Sequence, residues 1–209
     1  MRLVKVTYCT IAILVALGIG VKSVDYWSPN FSQGFLLGKA DIFSFYRFAL
    51  YAHIVAAPLA FFSGMAQMCF PKNAFHRPLG SVYVFYILFL AAPSGLMMSF
   101  FAIGGGWSTL NFVLLSLLWG GYTFRAYRAI VQGNRQQHVR FIIGSFILTN
   151  SAILLRLLSY LNYQFDIVPG ADGYLWVSVL SWLPGIVGYE TWRACRQAPL
   201  ILSKRPLRS

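Results

Sequence analysis

Long apolar runs separated by short polar clusters organise the chain from end to end. A helix needs about 20 apolar residues to cross the hydrocarbon of a bilayer. The pattern predicts six such spans, near residues 6–21, 44–70, 79–103, 107–124, 141–163 and 174–191. Each helix satisfies its own backbone hydrogen bonds, which a membrane interior demands. The predicted fold is therefore all-α: a polytopic membrane protein, a bundle of six transmembrane helices forming one domain over 1–209, with a basic tail over 192–209. The first run opens with Arg2 and Lys5 like a secretory signal, but Gly20-Val21-Lys22-Ser23 lacks a small-x-small cleavage site, so it reads as a retained anchor.

The connections carry their own signals. The segment Lys22 to Asp41 holds Trp27, Pro29, Asn30 and Gly34 and has room for a short interfacial helix. Gly104-Gly105-Gly106 suits a tight reversal, because glycine accepts positive φ without steric cost. Arg125 to Arg140 reads as the most basic loop, with Gly133-Asn134 as its turn. Pro58, Pro93 and Pro184 fall near the middle of their spans, either as tolerated kinks or as breaks around a mid-membrane cavity. No internal repeat is visible.

Charge then orients the bundle. Asp25, Asp41, Asp166 and Asp172 flank the spans on one side, and Lys72, Arg77, Arg125, Arg128, Arg135, Arg140, Arg193 and Arg196 on the other. Basic residues concentrate on cytoplasmic connections, so both termini are predicted cytoplasmic, in a bacterial inner membrane. Trp27, Trp107, Tyr160, Tyr163, Tyr174 and Trp176 would form the outer aromatic belt. Only 11% of residues are charged and 58% are hydrophobic, against about 25% charged in soluble domains. The net charge of +12 fits attraction to anionic headgroups, worth about 1 kcal/mol per basic residue. No zinc-finger spacing or RNA-binding motif accompanies it, so nucleic acid is excluded as a partner and the lipid bilayer is the expected one. Cys9, Cys69 and Cys195 fall at the inner ends of their spans; the odd count, the lack of CxxC and a reducing compartment predict apolar filler rather than a disulfide. No GxSxG, Walker loop or HExxH occurs, and no reaction is assigned.

The polar residues inside the spans carry the candidate chemistry. His53 and Arg156 lie roughly 7 Å and 6 Å outward of their span midpoints, counted at about 1.5 Å per residue. Arg47 sits nearer the outer surface, and no acid shares their depth. An arginine inside a span costs at least about 2.5–3.5 kcal/mol unless it meets a partner or water. Three readings of Arg156 stay open: it snorkels to the headgroups, it bonds helix carbonyls and hydroxyls, or it binds an anionic or carbonyl-bearing ligand with His53. Ser145, Thr149, Arg156, Tyr160 and Tyr163 share one helical stripe, and Tyr46, His53, Gly64 and Gln67 another, so the two are expected to face one another.

On the inner side, His76 and His138 open two spans from the same leaflet, as axial ligands of haem b would, or as a divalent-metal set with Glu190. Solvated loop histidines are the plain alternative. Glu190, the one glutamate of the chain, is either a partner for Arg77, Arg140 or Arg193 or a proton relay.

The run His76-Arg77-Pro78-Leu79-Gly80-Ser81-Val82-Tyr83, with Gly64 and Gln67 upstream, resembles a family of predicted bacterial membrane proteins, domain-of-unknown-function family 2306. Gly104-Gly105-Gly106, His138-x-Arg140-Phe141, Leu155-Arg156-Leu157 and Glu190 extend the resemblance over about Ala49 to Arg193. It implies a multi-span membrane protein without established activity and a recurring set that falls on His53, His76, His138, Arg156 and Glu190. Arg140-Phe141 departs from the family's usual Arg-Trp, which removes an indole donor. The leading expectation is a small membrane redox protein binding haem or a quinone-like ligand. The alternatives are a small-molecule or anion transporter or channel, and a non-catalytic assembly subunit of a membrane complex.

Overall fold

The computed structural model describes residues 2–32, 36–70 and 74–202, and every regular element among them is helical. Gly34, Lys72 and the basic tail from 203 onward lie outside the described residues. Helix α1 (Arg2–Ser23) ends in a 3-10 turn, Val24–Trp27, and α2 spans Phe43–Cys69. Helix α3 (His76–Phe85) passes through a π-helical turn, Tyr86–Ala91, into α4 (Ala92–Ser99). Then follow α5 (Gly105–Val131), α6 (Arg135–Phe165), α7 (Gly170–Leu180) and α8 (Leu183–Leu202).

Among the described residues, four stretches are long and apolar enough to cross a membrane: Cys9–Trp27, Phe43–Cys69, His76–Ser99 and Arg135–Phe165. The expected spans at 107–124 and 174–191 do not reach that standard. In α5, buried Ser108, Asn111, Ser116 and Thr123 dilute the apolar run. The last span is two helices, not one, because Pro184 has no N–H for the carbonyl of Leu180 and its ring crowds that position. The break is seated on α5: Trp182 Nε1 donates to Asn111 Oδ1 at 3.0 Å, and Asn111 Nδ2 donates to Ser178 Oγ at 2.9 Å.

Pro58 sits inside an unbroken α2, whereas Pro93 follows directly on the π turn. The basic loop expected over Arg125 to Arg140 shrinks to a short turn, because arginine is a good helix former and α5 continues to Val131. Gly133, at φ +73°, ends it, and Asn134 caps α6 by accepting from the Gln137 N–H at 3.0 Å. The expected reversal is present at Gly104 (φ +99°) and Gly105 (φ +76°).

The cysteine expectation is overturned: Cys9 and Cys69 are disulfide-bonded, and Cys195 is a free, exposed thiol. The chain order explains the pairing. An up-running α1 against a down-running α2 brings the start of one beside the end of the other, across 60 residues of sequence.

The main core is built from Ala56, Ala60, Phe61, Tyr83, Ile87, Ala91, Trp119, Phe146 and Leu148. Small residues dominate its closest approaches, as expected where packing rather than water exclusion drives helix association. A Cβ on Gly64 would stand 2.7 Å from the Tyr83 ring. A smaller outer core, Leu36, Tyr46 and Leu50, seats the α1–α2 connection. Exposed Trp27, Trp107, Tyr160, Tyr163 and Trp176 face outward from the bundle.

Candidate functional site

His53 is anchored to the π turn. Its Nδ1 donates to the carbonyl of Ala91 at 2.9 Å and lies 3.2 Å from Ser94 Oγ. A carbonyl only accepts, so Nδ1 carries the proton, and the Nε2 lone pair of the neutral ring stays available. The π register, set where Pro93 removes a helix donor, leaves local carbonyls in need of partners, and Ser94 Oγ donates to the carbonyls of both Leu90 and Ala91. Gly95 makes room for the ring: a Cβ there would lie 3.2 Å from His53 Cε1 and 3.2 Å from Ser116 Oγ.

Arg156 bonds a helix carbonyl, one of the three arrangements left open. Its guanidinium is exposed and donates to the carbonyl of Ala152 on its own helix at 3.2 Å. It shares no hydrogen bond with His53 among the described residues, though the two are within electrostatic reach, as are Arg156 and the phenols of Tyr26 and Tyr174. A cleft of about 380 Å³ opens beside Tyr174, lined from α6 by Ser159, Asn162 and Tyr163 and beyond it by Asp166 and Val168. Ser159 and Tyr163 stand three and seven residues beyond Arg156, so the Arg156 face of α6 runs into this cleft. Asn162 shapes it by clasping Val168, accepting from its N–H and donating to its carbonyl, each at 3.0 Å.

Arg47 and Tyr160 do not join this group. Arg47 is exposed and lies over the Phe48 ring at 5.1 Å, and Tyr160 is 60% exposed. In the outer connection, burial pushes the Lys39 ammonium below its ordinary range, with the Tyr46 ring 5.6 Å away.

The two expected stripes do not face each other throughout. Ser145 and Thr149 are buried, but the hydroxyl that joins them belongs to Tyr83 of α3, at 2.7 and 2.8 Å. Trp119 Nε1 donates to Thr149 Oγ1 at 3.0 Å, and Thr123 Oγ1 lies 2.7 Å from Ser145 Oγ. The reason is Gly64: without a side chain on α2, the Tyr83 ring slides across and takes the contact. Tyr83, Trp119 and Thr123 were not singled out from sequence, since nothing local distinguishes them from filler.

At the opposite end of the bundle, Glu190 pairs with Arg140 at 3.2 Å and with Arg193 at 2.9 Å, and accepts from Tyr122 Oη at 3.0 Å. Tyr189 Oη donates to the Arg140 carbonyl at 3.0 Å. His138 Nδ1 donates to the Ala126 carbonyl of α5 at 2.9 Å. His76 lies elsewhere, lining a cleft between α2 and α3 together with Gln67.

That cleft is lined by no residue of α5 or α6 among the described residues, so His76 and His138 are not brought together in it. Among the described residues no three of His, Cys, Asp and Glu converge as a metal set, and Glu190 is already engaged by two arginines.

His53, His76, His138, Arg156 and Glu190 all fall within residues 50–192, which match the profile of a family described as predicted membrane protein, DUF2306. The chain belongs to this family. No curated protein and no solved structure matches it. Membership makes it a membrane protein of unknown function, consistent with its apolar helices. The motif residues quoted above then acquire places: Gly64 is the seat of Tyr83, Glu190 is the counter-charge of Arg140, and His53 is the partner of the π turn.

Proposed function

We propose that this is a bacterial inner-membrane protein that binds an anionic or carbonyl-bearing amphiphile, a quinone-like molecule or an anionic lipid, in the outer half of the bilayer between His53 and Arg156. One observation carries the reading. Arg156 bears a full charge at membrane depth, uses one helix carbonyl, and has only phenols and an imidazole within electrostatic reach among the described residues. A guanidinium has five donors, and leaving it without a counter-group in hydrocarbon is costly. Asp166 caps the far end of α6, ten residues beyond Arg156 and about 15 Å away at the helical rise, too far to neutralise it. The cleft beside Tyr174 supplies an entrance, and His53 Nε2 supplies an acceptor for a ligand hydroxyl. Haem has no part in this reading.

The same proposal holds six crossings with both termini cytoplasmic. Helix α5 has 27 residues, about 40 Å at 1.5 Å per residue, which is long enough to cross. Helices α7 and α8 together supply the sixth crossing.

The test is equilibrium binding to the full-length protein in nanodiscs, with a short-chain benzoquinone in one arm and an anionic phospholipid in the other. Arg156→Ala is expected to weaken binding in the supported arm at least tenfold, and Arg156→Lys less. Binding in neither arm, or binding indifferent to Arg156→Ala, overturns the proposal.

A further inference from the structure

We infer a second ligand site, in the inner leaflet, for the head ring of a neutral hydroxyl-bearing amphiphile of the benzoquinol class. It is the cleft between the inner ends of α2 and α3, of about 230 Å³, walled by Ala66, Gln67 and Phe70 on one side and by His76, Leu79 and Val82 on the other. It is independent of the outer site, sharing no residue with it.

The cleft is apolar apart from two side chains, and both are prepared. Gln67 Nε2 donates to the carbonyl of Ser63 at 3.3 Å. That bond fixes which end of the amide is spent and leaves Oε1, an acceptor, turned toward α3. Gly80 leaves space for it, since a Cβ there would lie 3.1 Å from Gln67 Oε1. His76 Nδ1 is buried and makes no hydrogen bond among the described residues. A buried polar atom left unpaired costs about 1–3 kcal/mol, so a ligand that reaches Nδ1 recovers that cost. The two atoms together ask for one donor and one further hydrogen-bonding group on the same ligand.

Size and charge narrow the class. A cavity of about 150 Å³ holds benzene, so this one admits a single substituted ring. No lysine or arginine lines the cleft among the described residues, which disfavours a phosphate within it. Phe70, 63% exposed, and Val82 border the opening with apolar surface, which suits a tail leaving toward the acyl chains.

The experiment compares a decyl benzoquinol with its dimethyl ether for binding to the full-length Arg156→Ala protein in phosphatidylcholine nanodiscs. In that background the outer site is removed, so its failure and this one are distinguishable. The quinol is expected to bind at least tenfold more tightly than the ether, which cannot donate to Gln67. Gln67→Ala and His76→Ala are each expected to erase most of that preference. Ala66→Phe, which fills the cleft while leaving Gln67 and His76 in the chain, is expected to abolish binding while circular dichroism stays unchanged. Equal binding of quinol and ether, quinol binding that survives Ala66→Phe, or absence of quinol binding to the folded Arg156→Ala protein overturns the assignment.

Discussion

The imidazole of His53 on α2 donates from Nδ1 to the backbone carbonyl of Ala91, the last residue of the π turn that precedes Pro93. Ser94 Oγ donates to the same carbonyl at 3.1 Å, so two donors share one acceptor. Removing either alone leaves the other donor in place.

His53→Ala and Ser94→Ala are therefore each expected to cost about 1 kcal/mol of stability. The double variant should depart from their sum, because both donors use the same Ala91 carbonyl. Unfolding in mixed detergent micelles measures all three, and simple additivity would contradict the shared-acceptor picture.

Tyr83→Phe deletes the hydroxyl that joins Ser145 and Thr149. A loss of about 1–2 kcal/mol is expected, toward the upper end of the values found for hydrogen bonds between membrane helices. Ser145 retains Thr123 and Thr149 retains Trp119, which limits the damage. A melting temperature equal to that of the unaltered protein would sink this assignment.

Gly64→Ala and Gly121→Ala should move stability in opposite directions. The first places a methyl 2.7 Å from the Tyr83 ring and is expected to cost about 1–3 kcal/mol through overpacking. The second meets nothing within 4 Å and is expected to be neutral or to gain up to about 1 kcal/mol of helix propensity. Side-by-side thermal unfolding of the two variants checks the contrast.

Glu190→Gln leaves Arg140 and Arg193 without their counter-charge while keeping an acceptor for Tyr122. The group is partly solvated, with side-chain exposures of 36% for Arg140 and 27% for Glu190, so the expected loss is at most about 1 kcal/mol. Screening should shrink it, and the difference from the unaltered protein is expected to fade at molar salt. A salt-independent loss would point to packing instead.

Thiol alkylation of the purified protein is expected to label Cys195 without reductant and Cys9 and Cys69 only with it. Reduction should lower stability by about 2–4 kcal/mol. Acid-trapped thiols from intact cells add a topological reading, because disulfides are rare in reducing compartments. A pair already oxidised in such cells would count against placing both termini in the cytoplasm.

Much of the architecture was legible because it depends on local quantities. The length and apolarity of a run determine that α2, the α3–α4 rod and α6 are membrane helices, whatever they pack against. Glycine's tolerance of positive φ determines the reversals at Gly104 and Gly133. An isolated glutamate among inner arginines determines the Glu190 cluster, since no other charge there can balance them.

The tertiary structure decided whatever depends on partners distant in sequence or unmarked by residue type. Every residue has a carbonyl, so nothing in the chain flagged Ala91 as the acceptor for His53, 38 residues away. Cys9 meets Cys69 because α1 and α2 pack antiparallel, and Tyr83 meets Ser145 and Thr149 because Gly64 leaves its ring room. Periodicity names the face of a helix that will be buried; it does not name the helix that will cover it, and that choice is made by shape in the assembled bundle.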